Sequence, residues 1–275
     1  MKTLIDVDEL HATLGADDLF VFDCRASLTD KEEGRRLFNE MHIPGAQYAH
    51  LDQDLSGSII AGKTGRHPLP RQEDFLSTVR RWGVTQNAAV VAYDDASGAF
   101  AARLWWMFRW LGHDDVAVLD GGLAAWKQRG YPLTDEINEV QESAFEAREP
   151  LTRTVSAQDI PNSQVPLIDA RSEDRFRGDV EPVDPVAGHI PGAICLPFSN
   201  NLNESNRFKD AAVLANRFRN AGISADQGTI CYCGSGVSAT HNILALVHSG
   251  FAEPALYPGS WSEWVTDPDR PVERT

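Results

Sequence analysis

Short apolar runs alternate with amphipathic stretches of helical period along this chain, and the alternation is written twice. Residues 19–25 form an apolar run that ends in Asp23-Cys24-Arg25, and residues 166–171 form another that ends in Asp169-Ala170-Arg171. Each is followed, at nearly the same interval, by His-Ile-Pro-Gly-Ala, starting at His42 in the first copy and at His189 in the second. Next come the apolar runs 89–94 and 229–233, each leading into a long helical pattern. A glycine-bearing turn closes each copy, with Gly121 and Gly259 standing at equal distances before Trp126 and Trp264. Strands that alternate with helices in this way predict a parallel sheet covered by helices on both faces, an α/β fold.

The repeat decides the domain count. A chain of 275 residues suits one large domain or two ordinary ones, and two matching halves select two. Hydrophobic periodicity lapses in the polar residues 135–154. The expected division is therefore a first domain over residues 1–138, a linker over 139–154 and a second domain over 155–275. The aromatics Trp105, Trp106, Phe108 and Trp110 lie on one helical pattern and are expected to pack in core or between domains.

Charge and special segments narrow the function. A net charge of −15 speaks against nucleic acid and anionic membrane surfaces as partners, so an anionic ligand would have to be attracted locally. No run is long and apolar enough for a membrane span, and the start of the chain lacks a secretory pattern, which places the protein in the cytoplasm. Without a Gly-x-Gly-x-x-Gly or P-loop pattern, and without cysteine–histidine ligand spacing, neither a nucleotide cofactor nor a metal is expected. Four cysteines, Cys24, Cys195, Cys231 and Cys233, are too few and too scattered for a disulfide scaffold. Cys231 is expected in the core, with a resolving thiol as its alternative role.

Cys233 is different. It ends an apolar strand and opens the loop Gly234-Ser235-Gly236-Val237-Ser238 ahead of a helical pattern over 239–249. A short loop before a helix turns backbone N–H groups inward and adds the positive end of the helix dipole, so a sulfur seated there is favoured in its nucleophilic thiolate form. Gly234 and Gly236 let the backbone bend and approach a ligand closely, while Ser235 and Ser238 offer hydroxyl donors. In open α/β sheets ligands bind beyond the carboxyl ends of the strands, which is where Cys233 falls. Its counterpart in the first copy is Asp94, followed by Asp95, a loop with no nucleophile and two carboxylates expected to repel an anion. One active and one degenerate half are inferred. Among nearby cationic residues, Arg171 is expected to pair structurally with Asp169, leaving Arg175 as the better anion binder. Two alternatives stand beside this reading. A cysteine phosphatase would need an arginine at the end of the loop, where Ala239 stands; a non-catalytic interaction module would not need one thiol loop opposite one acidic loop.

The paired His-Ile-Pro-Gly-Ala segments, Asp169-x-Arg171, the Cys233–Ser238 loop and Gly259-Ser260-Trp261-x-x-Trp264 together resemble the tandem-domain rhodanese family of sulfurtransferases over nearly the whole chain. The resemblance implies two five-stranded parallel sheets with catalysis in the C-terminal domain. It further implies transfer of a sulfane sulfur through a Cys233 persulfide to a thiol or cyanide acceptor, with thioredoxin or glutathione as candidate thiols. Within that family the loop is similar to that of enzymes using 3-mercaptopyruvate, whereas enzymes preferring thiosulfate often carry basic residues after the cysteine. By the same resemblance Arg175 clamps the donor carboxylate, Gly234, Gly236, Val237 and Ser238 line the donor site, and Ser235, His67 and Asp52 relay a proton. One position departs from the pattern: Asp184 stands where a second arginine is usual, which keeps thiosulfate, or a protein or low-molecular-weight persulfide, in contention as donor.

Overall fold

Residues 2–275 are described by a computed structural model and form two compact units. The first comprises residues 2–57, 70–151 and 205–207; the second comprises residues 58–69, 152–204 and 208–275. Among the described residues no helix is long and apolar enough to cross a membrane.

The first unit runs β1 (Leu4–Ile5), α1 (Val7–Thr13), β2 (Leu19–Asp23), α2 (Glu33–Glu40), β3 (Gln47–Tyr48), α3 (Gln72–Arg81), β4 (Ala89–Tyr93), α4 (Ala101–Trp110), β5 (Val116–Leu119) and α5 (Gly122–Gln128). Its strands make a five-stranded sheet in the order β1-β5-β4-β2-β3, every pairing parallel. The apolar runs are short because each strand is covered on both sides: Val90, Val91, Ala92 and Tyr93 of β4 are all buried, so neither face calls for polar side chains. On α4, Trp105, Trp106 and Phe108 are fully buried, as the aromatic pattern predicts for core.

The second unit repeats the plan with β6 (Leu167–Asp169), α6 (Glu173–Arg177), β7 (Ile194–Cys195), α7 (Ala211–Asn220), β8 (Ile230–Tyr232), α8 (Ala239–His248), β9 (Ala255–Leu256) and α9 (Ser260–Trp264). Its sheet order, β7-β6-β8-β9, matches β3-β2-β4-β5, again all parallel. The fifth place, taken by β1 in the first sheet, is here a single parallel bridge between Thr154 and Leu256. One pair of rungs forms there, Val155 N to Leu256 O and Leu256 N to Arg153 O, each 2.9 Å. The edge is thus four full strands and one bridge rather than five strands.

The polar stretch that closes the first unit is extended chain held to it mainly by hydrogen bonds. Ser143 N donates to Arg80 O, Arg148 N donates to Leu111 O, and the Phe145 side chain is buried. That single apolar anchor explains why no period was visible there.

Two devices recur in both units and hold the carboxyl ends of the strands. Arg25 grips Asp23 through a bidentate pair, with Nη2 at 2.6 Å from Oδ2, and also donates to Met41 O; Arg171 does the same to Asp169, with Nη2 at 2.7 Å, and donates to Gly188 O. His42 stacks on Phe38 and His189 on Phe176, each with Nδ1 within 2.8 Å of the carbonyl of the phenylalanine beneath it. A feature present in the active-looking and the degenerate half alike is architecture.

Candidate active site

Strand β8 stops at Tyr232, whose hydroxyl accepts a hydrogen bond from Ile190 N, and the chain then enters the loop that begins with Cys233. The start of α9 fixes that loop from the other side. Trp261 N donates to Cys233 O and Ser262 N donates to Gly234 O, both at 2.9 Å, while Cys233 N donates to Ser260 Oγ at 3.1 Å. With its carbonyls held outward, the loop can turn an amide inward: Gly236 N donates to Cys233 Sγ at 3.1 Å. Gly236 has φ +78°, and a Cβ there would lie 2.3 Å from Pro258 O, so both the turn and the close approach require glycine. Cys233 is only 2% exposed, which keeps the sulfur out of bulk water. Directly behind it, Cys231 is fully buried and desolvation raises its thiol far above the ordinary range, as suits a core residue.

Ser235 lies on the same loop, largely buried, with its Oγ 2.8 Å from His67 Nδ1. His67 reaches it from residues 58–69, the part of the first repeat that packs into the second unit. Gly65 makes that approach feasible, since a Cβ there would lie 2.5 Å from Gly259 O; Arg66 N donates to Ser262 Oγ beside it. Asp52 belongs to the first unit, where its amide donates to His50 Nδ1 at 3.1 Å and its carboxylate lies 3.5 Å from Lys31 Nζ.

Two arginines reach over the loop at Gly234. A Cβ on Gly234 would stand 2.9 Å from Arg66 Nη2 and 3.5 Å from Arg175 Nη1. Arg175 projects from α6 and is held by Glu181, with Nη2 2.7 Å from Oε1, and by Asp184, with Nη2 3.1 Å from Oδ2. Arg66 pairs with the other oxygen of Asp184. Burial alone would raise the Glu181 carboxyl, but hydrogen bonds from Arg175 and from the Asp184 amide bring it below its ordinary value. At Asp184 burial wins: the carboxyl sits above its ordinary value although Arg66 and Arg175 oppose the shift. Arg171 is withdrawn from the site by Asp169, stacks over the Trp261 ring at 4.8 Å, and is 1% exposed at its side chain. Val237 is buried, its carbonyl accepting from Thr240 Oγ1, and Ser238 leads directly into α8. Among the described residues no cluster of three or more His, Cys, Asp or Glu side chains is arranged to hold a metal ion.

Arg66 is the residue that sequence reasoning missed. It directly precedes His67 in Gly65-Arg66-His67-Pro68, so the signal was adjacent to a residue already singled out. Asp184 had been read as a missing cation; in the structure it is the anchor for a cation that arrives from elsewhere in the chain.

The corresponding loop of the first unit has the same frame and a different occupant. Leu123 N donates to Asp94 O at 2.9 Å, as Trp261 N does to Cys233 O. The Asp94 carboxylate does not face outward to repel anions, as expected from sequence. It turns into the loop and accepts from Ala96 N, Gly98 N, Phe100 N and Ala101 N, all within 2.9 Å. Four inward amides that hold a fixed carboxylate show that this frame is an anion cradle.

Comparison with known proteins agrees with that geometry. The model of the rhodanese-like domain matches residues 6–129 and again residues 153–267. The chain belongs to the rhodanese family, and it is an enzyme of the sulfurtransferase class. A Pseudomonas aeruginosa protein named probable 3-mercaptopyruvate sulfurtransferase is 46% identical over 98% of this chain and 97% of its own length. Thiosulfate/3-mercaptopyruvate sulfurtransferase 2 of Arabidopsis thaliana is 36% identical over 98% of this chain and 86% of its own. The crystal structure of SseA from Escherichia coli, described as a 3-mercaptopyruvate sulfotransferase, superposes with a TM-score of 0.83 at 31% identity, covering 96% of this chain and 100% of that one.

Proposed function

We propose that this sulfurtransferase takes sulfur from 3-mercaptopyruvate, carries it as a Cys233 persulfide, and delivers it to a thiol or to cyanide. The observation that carries the reading is the Gly236 amide on Cys233 Sγ with the Ser235–His67 pair beside it. In the first half-reaction the Cys233 thiolate attacks the donor sulfur, a sulfur–sulfur bond forms, and the carbon–sulfur bond breaks. The electron pair goes to the pyruvate enolate, which takes a proton through the Ser235–His67 pair and leaves as pyruvate. In the second half-reaction the acceptor attacks the outer sulfur and Cys233 departs as thiolate, giving an acceptor persulfide or thiocyanate. Arg175 and Arg66 over Gly234 receive the donor carboxylate, Gly236 N holds the reacting sulfur, and Gly234, Val237 and Ser238 keep their place lining the donor site on the family resemblance. Asp52 keeps its place in the proton relay on the family resemblance alone.

Thiosulfate is the second donor reading, favoured by the Arabidopsis relative whose name carries both donors. There the sulfur–sulfur bond of the donor breaks and sulfite leaves without needing a proton. Thioredoxin and glutathione are the proposed thiol acceptors, and the cytoplasm the proposed setting, in keeping with cysteines that are all free. The first unit is catalytically degenerate on this reading, its cradle filled by Asp94.

Exposure to 3-mercaptopyruvate should add ~32 Da at Cys233 by mass spectrometry, and Cys233→Ser should abolish both the adduct and turnover. His67→Asn should slow turnover with mercaptopyruvate far more than with thiosulfate, because only the first leaving group is protonated. Absence of the adduct from both donors would sink the assignment.

A further inference from the structure

The donor site that the proposed function requires contains a carboxylate where an anion must bind. Arg66 and Arg175, the two cations over Gly234, are both bonded to Asp184, one to each oxygen, and Glu181 takes another edge of Arg175. Asp184 is the most enclosed of the three bridged groups, its side chain 3% exposed against 32% for Arg66 and 20% for Arg175. The two guanidinium groups are the more exposed members of the cluster, and their charge is matched by Asp184 and Glu181.

Resting on the proposed donor site, we infer that Asp184 is the specificity-determining residue for donor charge, holding two arginines in place while cancelling enough of their charge to favour a monoanionic donor over a dianionic one. Arg175 Nη1 and Arg66 Nη2, the guanidinium atoms nearest Gly234, suit one planar carboxylate, which needs donors more than net charge. A dianion gains from the same donors but meets one further unit of repulsion from Asp184. A unit charge at roughly 6 Å with an effective dielectric of about 20 corresponds to about a hundredfold, and partial exposure of the arginines reduces this to about tenfold. The usual arginine at this position would add a cation; aspartate here both removes it and recruits Arg66 in its stead.

Asp184→Asn keeps the shape and an acceptor oxygen while removing the charge. In the full-length enzyme it should raise the ratio of catalytic efficiencies, thiosulfate over mercaptopyruvate, by about tenfold. In a Cys233→Ala background, calorimetry with two inert probes, sulfate and pyruvate, should show the same shift toward the dianion. Arg66→Gln, which subtracts a cation and leaves Asp184 held by Arg175, should move both ratios the opposite way, and it decides the matter if Asp184→Asn fails to fold by circular dichroism. Ratios unchanged within twofold, or a shift toward the monoanion in Asp184→Asn, overturn the inference. If the wild-type enzyme transferred sulfur from neither donor, the proposed function would fail, yet the inert-anion comparison would still report on Asp184.

Discussion

Replacing Gly236 by alanine should disable sulfur transfer, whereas the same change at Gly234 should leave the chemical step standing. At Gly236 the backbone is left-handed, φ +78°, which costs an alanine about 1–2 kcal/mol. The new Cβ would also sit 2.3 Å from Pro258 O and 3.0 Å from Pro258 C, backbone atoms that have no side-chain freedom with which to retreat. The loop must give way, and the group displaced is the amide that contacts Cys233 Sγ at 3.1 Å. A hydrogen bond to a charged partner is worth about 1.5–3 kcal/mol, so kcat/KM for mercaptopyruvate should fall roughly 10- to 150-fold. At Gly234 the nearest atom to a new Cβ is Arg66 Nη2 at 2.9 Å, the far end of a flexible side chain. That substitution should raise KM severalfold as the guanidinium swings aside, with kcat nearly unchanged. Steady-state kinetics, sulfur loading by mass spectrometry and urea unfolding on both variants separate loss of site from loss of fold. Gly236→Ala within twofold of wild type, or Gly234→Ala equally impaired in kcat, would refute the assignment of the Gly236 amide to the sulfur.

The remaining predictions concern the first unit. Asp94→Ala leaves four loop amides without their acceptor, and should lower stability by about 2–4 kcal/mol in urea unfolding while Cys233 still loads sulfur; an unchanged midpoint would show that water replaces the carboxylate at no cost. His113, buried between Phe108 and Phe145, is pushed below its ordinary value of 6.5 chiefly by desolvation. As pH falls through about 6.5 the unfolded chain takes up a proton that the folded chain refuses, so stability should drop with acidification by up to about 1.36 kcal/mol per pH unit. His113→Phe should flatten that slope between pH 5 and 7, and an equal slope in both proteins would remove His113 as its source.

How much of this could be read from sequence depended on where each side chain's partner lies along the chain. The repeat, the strand-ending Asp–Arg pairs and the thiol loop are local patterns, and each was visible as spacing and residue type. Arg66 was not, because its relevance comes from contact with Gly234 and Asp184, both more than a hundred positions away, through a segment without regular structure that periodicity could not place. Asp184 was noticed for the wrong reason: charge alone marks it as a loss, and only its bond to Arg66 reveals it as a support. The fifth strand of the second sheet was implied by the family resemblance and not by any residue pattern, and at Thr154 the structure has a single bridge in its place. The acidic loop was misread in direction. Sequence supplies a carboxylate's sign, not the way it points, and Asp94 points inward.

The inward turn of Asp94 gives the first unit a resident counterion. A carboxylate tethered to the same backbone that cradles it competes at an effective concentration no dissolved anion approaches, so donors, oxidants and alkylating agents find that pocket permanently taken. The two halves of the chain thus keep one amide frame with two occupants, a tethered carboxylate in the first and the Cys233 sulfur in the second.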